Sequence, residues 1–298
     1  MNHYRKIAIL LSGLALSTQS FAQSADAYRA SIDNWHRTRT ENLKKENGWL
    51  NLAGLFWLPE GSNSFGSDST QAIVFPKGSI AAQAGYFIRK GHTVSLLTQP
   101  GVNITIQDTV VTDRIIFQPD SMKTPVLAHG SLRWSVIQRE DRIGIRLRDL
   151  DSKELKHFKG IDRYPVNAAW KTTAKLETIG QPGLISITNV LGQTNLQNAA
   201  GKLVFTLQGK TYTLDVLDEG EEELFIVFAD ATNATETYPS GRFVYIPKPD
   251  AQGNTVIDFN KAYNPPCAFT PFATCPLPPP QNRLHLAITA GEKNYGSH

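Results

Sequence analysis

Cysteine is scarce in this chain. Cys267 and Cys275 are its two cysteines, and their spacing fits neither a C-x-x-C zinc half-site nor a C-x-x-C dithiol. The histidines are His3, His36, His92, His129, His157, His285 and His298, and no two of them form H-x-H or H-E-x-x-H. Short-range metal motifs are therefore missing, and no metal site is assigned from sequence. There is no G-x-S-x-G elbow and no glycine-rich phosphate loop behind a strand. The signatures of an α/β-hydrolase and of a nucleotide-binding loop are thus lacking. No cofactor is implied. An excess of one charge is lacking too, since the formal net charge is +3. Without residues 1–22, which carry Arg5 and Lys6 and no acid, 28 basic side chains face 27 acidic ones. That balance speaks against a nucleic-acid partner, which calls for a clustered basic excess. It also speaks against electrostatic docking on a membrane. Repeats of fixed period and interdomain linkers are likewise missing.

What is present begins with an export signal. "MNHYRKIAILLSGLALSTQSFAQS" sets Arg5 and Lys6 before the apolar run Ile7 to Leu16, and Ser20 to Ala22 form a small-residue cut site. The run is shorter than the ~20 residues a bilayer span needs. No cysteine stands at the cut site to take a lipid anchor. Residues 1–22 are therefore expected to be a cleaved signal peptide. The mature protein is expected to be exported, periplasmic or secreted, with no membrane span.

Residues 23–47 read as an N-terminal helical segment, with Tyr28, Ile32 and Trp35 at i, i+4 and i+7. Beyond it the period changes to two. "GYFIRK", "HTVSLLT", "VNITI", "RIIF", "LRWSVIQR" and "RIGIRLRD" are short, rich in β-branched residues and separated by turn residues. "LISITNV", "KLVFTLQ", "KTYTLDVL", "ELFIVFAD", "RFVYIPK", "TVIDF" and "LHLAITAG" continue the pattern. Gln208-Gly209 reads as a hairpin turn. In "RIGIRLRD", Ile143, Ile145 and Leu147 take one face, and Arg142, Arg146 and Arg148 fall to the polar one, a solvated sheet face or an anion site. The fold expected is all-β, an antiparallel barrel or sandwich of many short strands with a short N-terminal helix. Residues 48–298 form one β-rich domain on this reading.

The richest polar constellation lies late. "FADATNATETYPSGRFVYIP" and "DFNKAYNPPC" supply Asp230, Thr237, Tyr238, Arg242, Asp258, Asn260, Tyr263 and Asn264. They read either as a binding or catalytic site, with Arg242 beside Asp258, or as internal hydrogen bonding under a long loop. That loop, residues 258–284, holds both cysteines and seven of the 17 prolines. An exported chain with an even cysteine count favours a Cys267–Cys275 disulfide stapling this strap. A reactive thiol at Cys267 and two buried, unbonded cysteines are the alternatives.

Three stretches carry a resemblance: "GWLNLAGLFWLPEGSNSFG", "LFIVFADATNATETYPSGRFVYIP" and "DFNKAYNPPCAFTPFATCPLPPPQNRLHLAITAGEK". Through them the chain resembles the bacterial and archaeal domain-of-unknown-function family 1684, over about Tyr28 to Lys293. His36 departs from the arginine associated with that position in the family. The resemblance brings no established activity, substrate or cofactor. Of the functions weighed, an exported small-molecule or peptide-binding β domain stands first. An exported hydrolase-like enzyme using the late cluster and a cell-envelope structural or assembly protein are the alternatives.

Overall fold

The computed structural model describes residues 25–120, 123–177 and 183–296, so the expected signal peptide, 1–22, lies outside the described residues. Contacts divide the chain into two compact units. One comprises residues 42–159 and 269–273, and the other takes the remainder. The sequence reading drew one β-rich domain from residue 48 onward; each of the two units has its own apolar core.

The first of these, the two-sheet unit, contains β1 (Leu52–Trp57), β2 (Gly61–Gly66), β3 (Ile73–Val74), β4 (Gly85–Lys90), β5 (Thr93–Thr98), β6 (Ile104–Ile106), β7 (Thr109–Val111), β8 (Asp113–Phe117), β9 (Leu127–His129), β10 (Leu132–Arg139) and β11 (Arg142–Asp149). One sheet runs β1-β11-β10-β9-β6-β7 and the other β3-β2-β4-β5-β8. Alternation decides which side chains go inward. Leu132, Trp134 and Val136 on β10 and Ile143, Ile145 and Leu147 on β11 are buried in the core with Phe65, Phe75 and Phe87. The arginines of β11 take the opposite face, as a two-residue period requires. A one-turn helix, Lys153–His157, follows, capped by the Ser152 hydroxyl.

The second, the barrel unit, contains β12 (Lys171–Glu177), β13 (Gly183–Thr188), β14 (Thr194–Leu207), β15 (Lys210–Leu217), β16 (Glu223–Phe228), β17 (Arg242–Pro247) and β18 (Asn254–Asp258). The order β17-β16-β15-β14-β12-β18, with β13 paired to β14, brings β18 back alongside β17 and nearly closes a barrel. Gln208 and Gly209 both take positive φ, 50° and 75°, the type I′ geometry a two-residue hairpin needs. The N-terminal helix occupies residues 25–44. Up to Glu41 it belongs to this unit, and its inward stripe holds Ile32 and His36. The all-β architecture expected from the period-two runs is the one observed.

One expected strand is not formed. "LHLAITAG", Leu284–Gly291, lies outside every strand. Past Leu286 side chains hold the backbone groups that a ladder would use: Arg242 takes the carbonyls of Ile288 and Ala290, and Asp230 takes the Ile288 N–H. Alternating apolar residues are therefore buried here, at Leu284, Ile288 and Ala290, with backbone pairing limited to the bonds of Leu284 and Leu286 with Ala229 and Ala231.

Candidate functional site

The late polar residues, all in the barrel unit, fall into three networks, of which those of Arg242 and Glu292 touch through a 3.4 Å bond from Arg242 Nη1 to the Glu292 carbonyl. Arg242 is fully buried and donates to Asp230 Oδ2 at 2.7 Å. Asp230 Oδ1 accepts from the Thr232 hydroxyl at 2.6 Å and the Thr232 N–H at 2.9 Å. Thr237 shares a 2.8 Å hydroxyl contact with Thr232, and Asn233 donates to Thr237 Oγ1 and to the Tyr238 carbonyl. Arg242 thus pairs with Asp230, not with Asp258 as the sequence suggested. The reason is local: Asp230 lies two residues past the end of β16, whose last residue, Phe228, is the direct cross-strand partner of Arg242 on β17.

Asp258 instead accepts from the Tyr28 hydroxyl at 2.9 Å and from the Asn260 N–H at 3.0 Å. Asn260 donates to Asn167 O and accepts the Asn167 N–H, both at 2.9 Å. His36 Nε2 lies 3.0 Å from the Asn260 carbonyl. Burial, followed by the Asp258 carboxylate, pushes the Tyr28 phenol well above its usual value. The third network centres on Glu292, which takes Arg39 Nε at 2.8 Å and the Asn264 N–H at 2.7 Å. The Arg39 guanidinium lies 4.3 Å from the centroid of the Tyr263 ring.

Sequence reasoning missed Tyr28, His36, Arg39 and Glu292 as partners. A signal did exist for three of them: residues 28, 32, 36 and 39 fall on one face of a helix, so polar residues at those positions had to be satisfied by something packed against it.

The expected disulfide is corrected: Cys267 and Cys275 are not joined. Cys275 Sγ accepts the Cys267 N–H at 3.1 Å instead. The strap is pinned by backbone bonds, Val190 N–H to Cys275 O at 3.0 Å and Leu277 N–H to Thr188 O at 2.8 Å. Asn282 adds bonds to both backbone groups of Asp215 and to the Val227 carbonyl. Hydrogen bonding to the Cys275 thiol lowers the Cys267 pKa. The same contact and burial raise that of Cys275.

A different constellation appears in the two-sheet unit. A cavity of about 470 Å³ is lined by Lys45, Glu46, Arg133, Arg146 and Arg148, together with Val126 and Ser135. That volume lies within the ~300–1,000 Å³ range of small-molecule sites. The register builds its charge. On the outer face of the sheet Arg133 is directly opposite Arg148, and Ser135 opposite Arg146. Like charges directly opposed across strands are destabilising.

Two of the arginines are fixed. Arg148 donates to Gly48 O and, at 2.8 Å, to Asn51 Oδ1. Arg133 donates to Gly130 O at 2.9 Å and Leu132 O at 2.8 Å, and its Nε reaches Glu46 Oε1 at 3.0 Å. Arg146 has no hydrogen-bond partner at its buried Nε among the described residues, and its guanidinium lies 5.8 Å from the Trp49 ring centroid. Burial, then Arg139 and Arg148, lowers its pKa to about 10, so it stays cationic at neutral pH. A second cavity of about 780 Å³ shares Glu46, Val126 and Arg133 with the first. Among the described residues no group of three or more His, Cys, Asp or Glu is placed to hold a metal ion, and no helix is long and apolar enough to cross a membrane.

Residues 156–293 match the family described as "Protein of unknown function (DUF1684)". The two late motifs fall inside that span, and "GWLNLAGLFWLPEGSNSFG" falls outside it. No curated protein matches the chain. Among solved structures, the chain is similar to an uncharacterised protein of Haloarcula marismortui determined by solution NMR. The identity is 29%, covering 49% of this chain and 82% of that one, with a TM-score of 0.41. A chain from a structural and functional analysis of phosphothreonine-dependent FHA domain interactions matches at 15% identity, covering 32% of this chain and 92% of that one, with a TM-score of 0.22.

Proposed function

We propose that this chain, whose residues 156–293 match a family of unknown function, is an exported binding protein whose small-molecule ligand occupies the arginine-lined cavity of the two-sheet unit, outside the matched span. The observation that carries the reading is Arg146, a partly buried cation whose Nε is unpartnered among the described residues, at the wall of a ligand-sized cavity. A desolvated cation without a counter-charge is costly, and a bound anion relieves that cost. The late polar cluster supports the barrel instead: Arg242, Asp230, Asp258 and Glu292 are engaged by protein groups. A hydrolase reading would draw on the hydroxyl–carboxylate contacts there, Thr232 with Asp230 and Tyr28 with Asp258, but those carboxylates are also held by Arg242 and by the Asn260 N–H.

Export rests on the order of basic, apolar and small residues over 1–22. N-terminal sequencing of the native protein is expected to begin after Ala22; retention of Met1 would refute it. For the binding reading, a thermal-shift comparison of wild type and Arg146→Met against a panel of organic acids is the test. Stabilisation of wild type that Arg146→Met abolishes, with its circular dichroism unchanged, is expected. Equal stabilisation of both proteins would reject the cavity as the site.

A further inference from the structure

The cavity carries its own carboxylate. Glu46 stands on the turn after the N-terminal helix and reaches Arg133 Nε at 3.0 Å. It is the single acid among the charged lining residues Lys45, Glu46, Arg133, Arg146 and Arg148. The turn itself is rigidly held. Asn51 is fully buried and donates to the carbonyls of Lys45 and Glu46, both at 2.8 Å, while its Oδ1 accepts from Arg148. The Glu46 side chain is not held in that way: it is 60% exposed, against 26% for Arg133. An exposed pair of this kind contributes only ~0–1 kcal/mol, so a competing carboxylate can replace it. Arg133 keeps its orientation in either case, because Gly130 and Leu132 carbonyls hold the other edge of its guanidinium.

Glu46 and Arg133 are also common to both cavities, as is Val126, which is 53% exposed. A swing of the Glu46 side chain would open the first cavity toward the second and bare Arg133 at their junction. The lining there combines guanidinium groups with Val126 and arginine stems, which suits a carboxylate on an apolar body.

Resting on the binding reading above, we propose that the cavity takes an amphipathic organic carboxylate, and that Glu46 is a built-in competitor that the ligand's carboxylate displaces from Arg133. The ligand anion then lies between Arg133 and Arg146, and Glu46 acts as a positioning residue that tunes affinity from outside the bound state.

The test is calorimetric titration of the full chain with benzoate, its neutral isostere benzamide, and inorganic phosphate, using wild type, Glu46→Gln, Arg133→Met and Arg146→Met. Circular dichroism checks that each variant is folded. Benzoate is expected to bind Glu46→Gln about fivefold more tightly than wild type, the ratio that ~1 kcal/mol of lost competition gives. It is expected to bind Arg133→Met and Arg146→Met at least about tenfold more weakly. Benzamide is expected to bind weakly and without dependence on Glu46. Benzoate binding weakened by Glu46→Gln would overturn the displacement while leaving the cavity as the site. Benzamide binding as tightly as benzoate, or phosphate binding more tightly, would overturn the carboxylate class and leave the cavity reading standing. Benzoate binding that all four proteins share equally, or binding by none, would remove both the proposal and the reading it rests on.

Discussion

Burial of His36 has a cost that depends on pH. Its pKa falls from 6.5 to about 4, mainly through burial, against the opposing hydrogen bond to the Asn260 carbonyl. Between those values the unfolded chain binds a proton that the folded one does not, so stability rises with pH across that window. The contribution is complete above the unfolded value and is lost as pH falls toward the folded one. The shift corresponds to about 3 kcal/mol. Denaturant unfolding of wild type and His36→Gln at about pH 7 and about pH 4.5 checks this. The wild type is expected to lose more stability on acidification than the variant, whose amide can still donate to Asn260 O. Equal losses would place the proton elsewhere.

At the scale of elements, the segment 284–291 shows what a side chain can do to a sheet. Its apolar alternation is strand-like, yet Arg242 and Asp230 occupy its backbone groups. The strands themselves were legible because their period and turn residues are local: β4, β10, β11 and β15 coincide with the runs read from sequence. The partners were not legible, because pairings such as Tyr28 with Asp258 join residues 230 positions apart. The late motifs and their charges point to Arg242 with Asp258; the structure pairs Arg242 with Asp230. The arginines of β11 were legible as a polar face, but the turn that walls them into a cavity depends on the Asn51 bonds. Breaking the Arg242–Asp230 pair is expected to cost about 3–5 kcal/mol, as for other fully buried ion pairs. A double-mutant cycle is expected to show strong coupling of Arg242→Met with Asp230→Asn, and additivity with Asp258→Asn within ~0.5 kcal/mol. The reverse pattern, measured by denaturant unfolding, would contradict the assignment.

For the whole molecule, the chemistry is distributed unequally between the two units. The barrel unit contains the residues that attract notice in sequence, and there Arg39 pairs with Glu292 and Arg242 with Asp230. The two-sheet unit looks plainer in sequence, yet it holds the arginine-lined cavity and Arg146, whose buried Nε has no hydrogen-bond partner among the described residues. The proposed binding cavity and these ion pairs therefore lie in different units, and hydrogen exchange read by mass spectrometry separates them most directly. The full chain is compared with and without benzoate at a concentration that saturates the calorimetric signal. Added protection over residues 45–47, 133–135 and 146–148, with residues 230–242 and 258–264 unchanged, is the result expected. Protection confined to residues 230–242 and 258–264, or no change anywhere, would contradict the account.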